Sequence, residues 1–257
     1  MRILQALACF TLLSGFALLA SVGCGSSTGD QTGGHAGAGG QAGASGQAGA
    51  GGGSAGRTFY YTYGGVVYRM VPGAGADASM AGDFDHPASA IAASEGTLYY
   101  TSGGVVYQMV PGAGNDVSMA ADFDNPATAI AADRGTLYYT SGGVVYQMVL
   151  GAGNDVSMTA DFDNPATAIA VNEGRVFFYT YGGVVYQMRP GAGGDYSMAG
   201  DFDNPASAIA VRGATPSFAG TLYYTYGGAV YQMVPGAGAD VSMAGDFDNS
   251  ASALTVN

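Results

Sequence analysis

Residues 97–133 read TLYYTSGGVVYQMVPGAGNDVSMAADFDNPATAIAAD, and residues 136–172 repeat them with four changes in 37 positions. Within this unit short runs rich in Tyr and Val alternate with turn signals. TLYYTS and VVYQMV flank Gly103-Gly104, and two glycines between β-type runs suit a two-residue hairpin turn that needs positive φ. PGAGND supplies a second turn and VSMAADF a third strand. DNP makes a third corner and ATAIAA a fourth strand. No segment carries the 3.6-residue period of an amphipathic helix.

Working outward, the Gly-Gly pair recurs at Gly64, Gly103, Gly142, Gly182 and Gly227, spaced 39, 39, 40 and 45 residues apart. Five copies of a four-stranded antiparallel unit predict an all-β chain, a five-bladed β-propeller in which radial repetition leaves little exposed strand edge. The ends of the repeat region agree. The first copy opens at TFYYTYGG with no inner strand before it, and the last copy ends on ASALTVN. The ring closes if this C-terminal strand becomes the inner strand of the first blade, with Leu254 beside Ile91, Ile130, Ile169 and Ile209 around the axis.

The repeat NPxxAIAxxxGxLYYTxGGVVYQMxPGAG is similar to blades of the YWTD and NHL-type β-propeller superfamily. There an "IAVD" strand leads into "YWTD" and then a "VYR" strand. Here Tyr replaces the Trp. The following Asp becomes Ser102, Ser141, Tyr63, Tyr181 or Tyr226, and the Asp after the inner strand survives only as Asp133. The resemblance implies the propeller fold from Thr58 onward. It carries no family function, because the motifs are weakened and those relatives usually have six blades.

Residues 1–24 read as an export signal: Arg2, the apolar run ILQALACFTLLSGFALLA, and SVGC ending at Cys24. This resembles a bacterial lipoprotein signal, which implies lipidation of Cys24 and a chain anchored to the bacterial envelope or cell surface. Ser21 stands where the lipobox has Leu, so ordinary cleavage and an uncleaved anchor remain alternatives. Residues 25–56 are rich in Gly, Ala, Ser and Gln and form a flexible tether with a span of about 30 Å, His35 being a solvated linker residue. Residues 57–257 form the propeller domain, which contains no cysteine and no lysine. Nineteen acidic residues against seven arginines give a net charge of −12, which disfavours nucleic acid as a partner.

The DxD corners supply the candidate site residues: Asp83 and Asp85, Asp122 and Asp124, Asp161 and Asp163, Asp201 and Asp203, Asp246 and Asp248. In an extended segment both carboxylates of a pair would point one way and offer themselves to one cation, so calcium is a possible ligand. The stronger reading is a structural corner, in which Asp and Asn bond their own backbone and the intervening Phe plugs the gap between blades. The corners and the Gly-Gly turns are expected on one face, where the carboxylates would gather cations or basic partners. Tyr63, Tyr181 and Tyr226 abut the turns on that face, and aromatic rings beside carboxylates suit a glycan or protein ligand. The GAGND segments read as turns, and His86 as a loop cap. No cofactor is implied. Catalysis has little support: a triad would have to converge on His86, and near-identical corners would not push two carboxylates to different pKa values. A glycan-cleaving enzyme therefore ranks behind a binding module and a structural scaffold.

Overall fold

A computed structural model describes residues 56–257 apart from 153, 173–174 and 214–219; the signal peptide, Cys24 and nearly all of the tether lie outside the described residues. The first blade contains β1 (Phe59–Tyr63), β2 (Val66–Met70) and β3 (Ala78–Ser79). The second contains β4 (Ala90–Ser94), β5 (Thr97–Ser102), β6 (Val105–Met109) and β7 (Val117–Ser118). The remaining blades repeat the second, giving five antiparallel sheets of four strands among the described residues.

Closure follows the sequence expectation. The C-terminal strand Ala253–Val256 pairs with β1 in the register Phe59↔Val256, Tyr60↔Thr255, Tyr61↔Leu254 and Thr62↔Ala253. It thereby takes the inner position that β4 occupies in the second blade. Ile91, Ile130, Ile169, Ile209 and Leu254 are all buried, and together with the alanines and valines beside them they line an axial cavity of about 50 Å³. Burying each of these five aliphatic side chains contributes about 1.5–3 kcal/mol.

The outer strands are shorter than expected. VSMAADF forms only two paired residues, Val117 and Ser118 against Gln108 and Tyr107. One further ladder bond runs from Met119 N–H to the Val106 carbonyl, and Asp122 N–H then turns back to the Met119 carbonyl at 2.9 Å. The chain leaves the sheet there because Phe123 belongs in the seam with the next blade. Its ring meets Tyr139 edge-on, with centroids 4.9 Å apart. The same wedge recurs as Phe84 on Tyr100, Phe162 on Tyr179, Phe202 on Tyr224 and Phe247 on Tyr61.

The Gly-Gly turns and the corners lie together, as expected. Ala88 N–H donates to the Gly65 carbonyl at 2.8 Å, and the equivalent bond recurs in every blade. Gly143 shows why the second glycine is required: its φ is +85°, and a Cβ there would stand 2.7 Å from Cβ of Pro165. Next to each corner a buried threonine is fully satisfied. Thr128 Oγ1 lies 2.8 Å from Thr140 Oγ1 and donates to the Thr140 carbonyl at 2.9 Å.

Candidate functional site: blade seams and corner grooves

Residues 81–83 of the first corner form a turn, so Asp83 and Asp85 do not stand in an extended segment that would aim both carboxylates one way. This corrects the geometry expected for the pair. Asp83 caps its turn through a backbone bond to the Met80 carbonyl. Asp85 reaches across the seam to the second blade, where its N–H donates to Asp116 Oδ2 at 2.7 Å and its own Oδ2 accepts the Asp116 N–H at 3.4 Å. Asp116 is the last residue of the GAGND turn.

The exchange repeats around the ring. Asp124 pairs with Asp155, Asp163 with Asp195, Asp203 with Asp240, and Asp248 with Asp77. The last pair joins the fifth blade to the first, so polar staples close the ring as well as the C-terminal strand. The first aspartates of the other corners, Asp122, Asp161, Asp201 and Asp246, make the same turn bond as Asp83.

A buried tyrosine completes each staple. Tyr61 donates to Asp77 at 2.6 Å, Tyr179 to Asp195 at 2.5 Å and Tyr224 to Asp240 at 2.5 Å; Tyr100 donates to Asp116 and Tyr139 to Asp155. Burial first, and the acceptor aspartate second, raise the pKa of all five hydroxyls far above the usual tyrosine value. They therefore remain protonated donors. The Oδ1 atoms of Asp77, Asp116, Asp155, Asp195 and Asp240 are buried without a partner. A turn aspartate shared by all five copies was the sequence signal for this second ring, but reading GAGND only as a turn missed it.

In each staple the second corner aspartate spends a carboxylate oxygen on a backbone N–H of the next blade. Asp201, Asp203 and Asp240 border a seam cavity of about 120 Å³. Nevertheless, among the described residues no three His, Cys, Asp or Glu side chains converge as metal ligands. Calcium takes six to eight oxygens, and this donor set does not fit it.

The corner face carries a different feature. In the third blade, residues 142–145 and 162–165 together with Thr159 border a groove of about 220 Å³. In the fourth, residues 182–185 and 202–205 with Ala199 border one of about 200 Å³. Both combine open Gly-Gly backbone, the Phe edge, the second aspartate, an Asn and a Pro. Asn164 Nδ2 donates to Tyr179 Oη at 3.3 Å, which fixes one side of its amide. Tyr63, Tyr181 and Tyr226 border the Gly-Gly turns with 47%, 43% and 44% of their surface exposed, whereas Ser102 and Ser141 occupy those places in the second and third blades. His86 stands where other corners have Asn and lies on the Tyr107 ring, with centroids 4.4 Å apart, as a cap to that corner.

No protein-family model matches the chain, and no curated protein is similar to it in sequence. Solved structures do resemble it. A chain of the nidogen/laminin complex, a YWTD-repeat propeller, is 10% identical with a TM-score of 0.54, over 78% of this chain and 98% of that one. That likeness concerns the fold alone. The extracellular domain of a hybrid two-component system from B. thetaiotaomicron is 12% identical with a TM-score of 0.43, over 76% of this chain and 28% of that one. YCF48 bound to D1 peptide is 11% identical with a TM-score of 0.39, over 66% and 57%.

Proposed function

We propose that the protein is exported, anchored to the bacterial envelope through a lipid on Cys24, and binds a protein or glycan ligand on the corner face of its propeller. The observation that carries this reading is the recurrence of one groove, with the same Gly-Gly, Phe, Asp, Asn and Pro chemistry, in the third and fourth blades. Equivalent grooves on one rigid disc suit a ligand that repeats its own epitope, because linked weak contacts raise overall affinity without any new contact. A groove of this size holds one sugar ring, and Tyr181 offers a ring face beside the turn of the fourth-blade groove, with Tyr63 and Tyr226 in the equivalent places of the first and fifth blades. The long Gly-rich tether would let the disc turn to meet such a ligand.

Glycan-array binding by the full chain tests the reading. Array signal is expected, with a loss of about tenfold or more on replacing Tyr63, Tyr181 and Tyr226 together by Ala. Silence of the wild-type chain across glycan and protein panels would leave the second reading. In that reading the domain is a surface scaffold without a small ligand, and it is favoured by the second corner aspartates being engaged in holding adjacent blades. Catalysis stays third, since the repeated corners give their carboxylates repeated surroundings. For the anchor, Cys24→Ala should move the chain out of the membrane fraction, and a wild-type chain carrying no lipid would end that part of the proposal.

A further inference from the structure

The rim of the fourth blade breaks the repeat. Where the other copies have Val71, Val110, Val149 and Val234, the fourth has Arg189; where they have Ala78, Val117, Val156 and Val241, it has Tyr196. The strand register gathers these departures. Gln187 stands directly opposite Tyr196, and Arg189 follows just past the end of the strand Val184–Met188. With Ala192 and Gly194 they border a cavity of about 290 Å³.

Each polar group there has spare donor capacity. Arg189 is exposed, and Tyr196 keeps 64% of its surface in solvent. Gln187 Nε2 is buried with no partner, a defect that Gln108, Gln147 and Gln232 at the equivalent positions do not share. Among the described residues no carboxylate lines the cavity. Asp163, whose Oδ2 lies 3.9 Å from where a Gly194 Cβ would stand, already holds the Asp195 N–H. A guanidinium and a phenol border the hollow, with the orphaned Gln187 amide buried behind them, and the guanidinium matches a carboxylate through two parallel hydrogen bonds. The exposed ring adds a flat apolar surface that the ligand must cover.

We propose that this rim cavity binds a hexuronate residue of an acidic polysaccharide, with its carboxylate on Arg189 and its C–H face on Tyr196. The cavity has the size of one sugar ring, and such a ring covers Tyr196 while its carboxylate reaches the guanidinium. A glutamate side chain brings the charge on a narrow flexible stem and leaves the aromatic face bare. The site stands apart from the corner grooves and does not depend on them.

The test is calorimetric titration of the full chain with oligogalacturonate, with a neutral galactose oligomer and oligoglutamate as controls. Arg189→Val and Tyr196→Val install residues that other blades carry, so both variants keep their melting temperature. Oligogalacturonate should bind with millimolar affinity or better and weaken with salt. Arg189→Val should weaken it by about tenfold or more, and Tyr196→Val by roughly threefold to tenfold. Replacing Tyr63, Tyr181 and Tyr226 by Ala should leave it unchanged, which separates this site from the corner grooves. The proposal is overturned by absence of wild-type binding, by equal affinity for the neutral oligomer, by undiminished binding in Arg189→Val, or by tighter binding of oligoglutamate.

Discussion

The axis and the seams of this propeller obey the same fivefold repeat with opposite chemistry. At the axis four isoleucines and Leu254, all buried, line a small cavity. At the seams each blade meets the next through two aspartates and a tyrosine, with one carboxylate oxygen left buried and unpartnered. The axis is held by desolvation, which is non-directional and tolerates aliphatic exchange. The seams are held by directional bonds to charged acceptors, which fix the angle between blades but lose most when one partner is removed. Stability and blade geometry are thus supplied by different shells of the same disc, and the aspartate–tyrosine staples lie in the outer one.

The harshest way to break this contrast is at the axis. Deleting residues 251–257 removes Leu254, its ladder bonds to β1 and the Asn257 to Thr58 bond. The cost is several kcal/mol against a net stability of about 5–15 kcal/mol, and it bares a strand edge. The truncated chain should aggregate or dimerise in sedimentation runs; a stable monomer with wild-type melting would refute closure by this strand. Next comes Gly143→Val, which forces a branched side chain into φ +85° against Pro165 and should cost about 1–3 kcal/mol in urea unfolding. Gly112→Ala has similar φ but open space around the added Cβ, so it should cost less.

A matched pair sharpens the comparison. Tyr139→Phe strips Asp155 of a donor while its Oδ1 is already unpartnered, and should cost about 1.5–3 kcal/mol. Ile130→Val at the axis should cost about 0.5–1.5 kcal/mol. If the axial change costs more, the seams are not the demanding shell. The two should also differ in pH dependence. The seam tyrosines have folded pKa values raised above the ordinary 10.0, so the unfolded chain gives up these protons first as pH rises. Their stabilisation is complete below about pH 10 and declines as pH rises beyond it. Tyr139→Phe should make that decline shallower, whereas Ile130→Val should leave its slope unaltered. The smallest expected effect is that of a chelator: among the described residues no three metal-binding side chains converge, so EDTA should not shift the melting curve, and a drop of several degrees would reopen the metal reading.

Much of this architecture was legible in residue order. Two glycines between Tyr- and Val-rich runs required a tight hairpin, DNP required a corner, and the Tyr- and Val-rich runs LYYTS and VVYQM marked strands. The orphan strand at the C-terminus told how the ring closes. The Phe of each DFD segment read correctly as the wedge between blades. The third strand was overextended, because VSMAADF alternates as a strand should, while only the seam geometry reveals that its Phe must leave the sheet.

Blade number, strand order, closure and the meeting of corner with hairpin were determined by the sequence alone, since these depend on local φ/ψ preference and on which faces must be buried. The partner of each corner aspartate was decided by tertiary structure. Asp85 has Asp77 eight residues before it in its own blade and Asp116 thirty-one residues ahead in the next, both at the end of a GAG turn. Identical repeats make the two choices equal in sequence. The twist and packing of adjacent sheets bring Asp116 to Asp85, so the seam contact is a property of two blades together and is written in neither copy by itself.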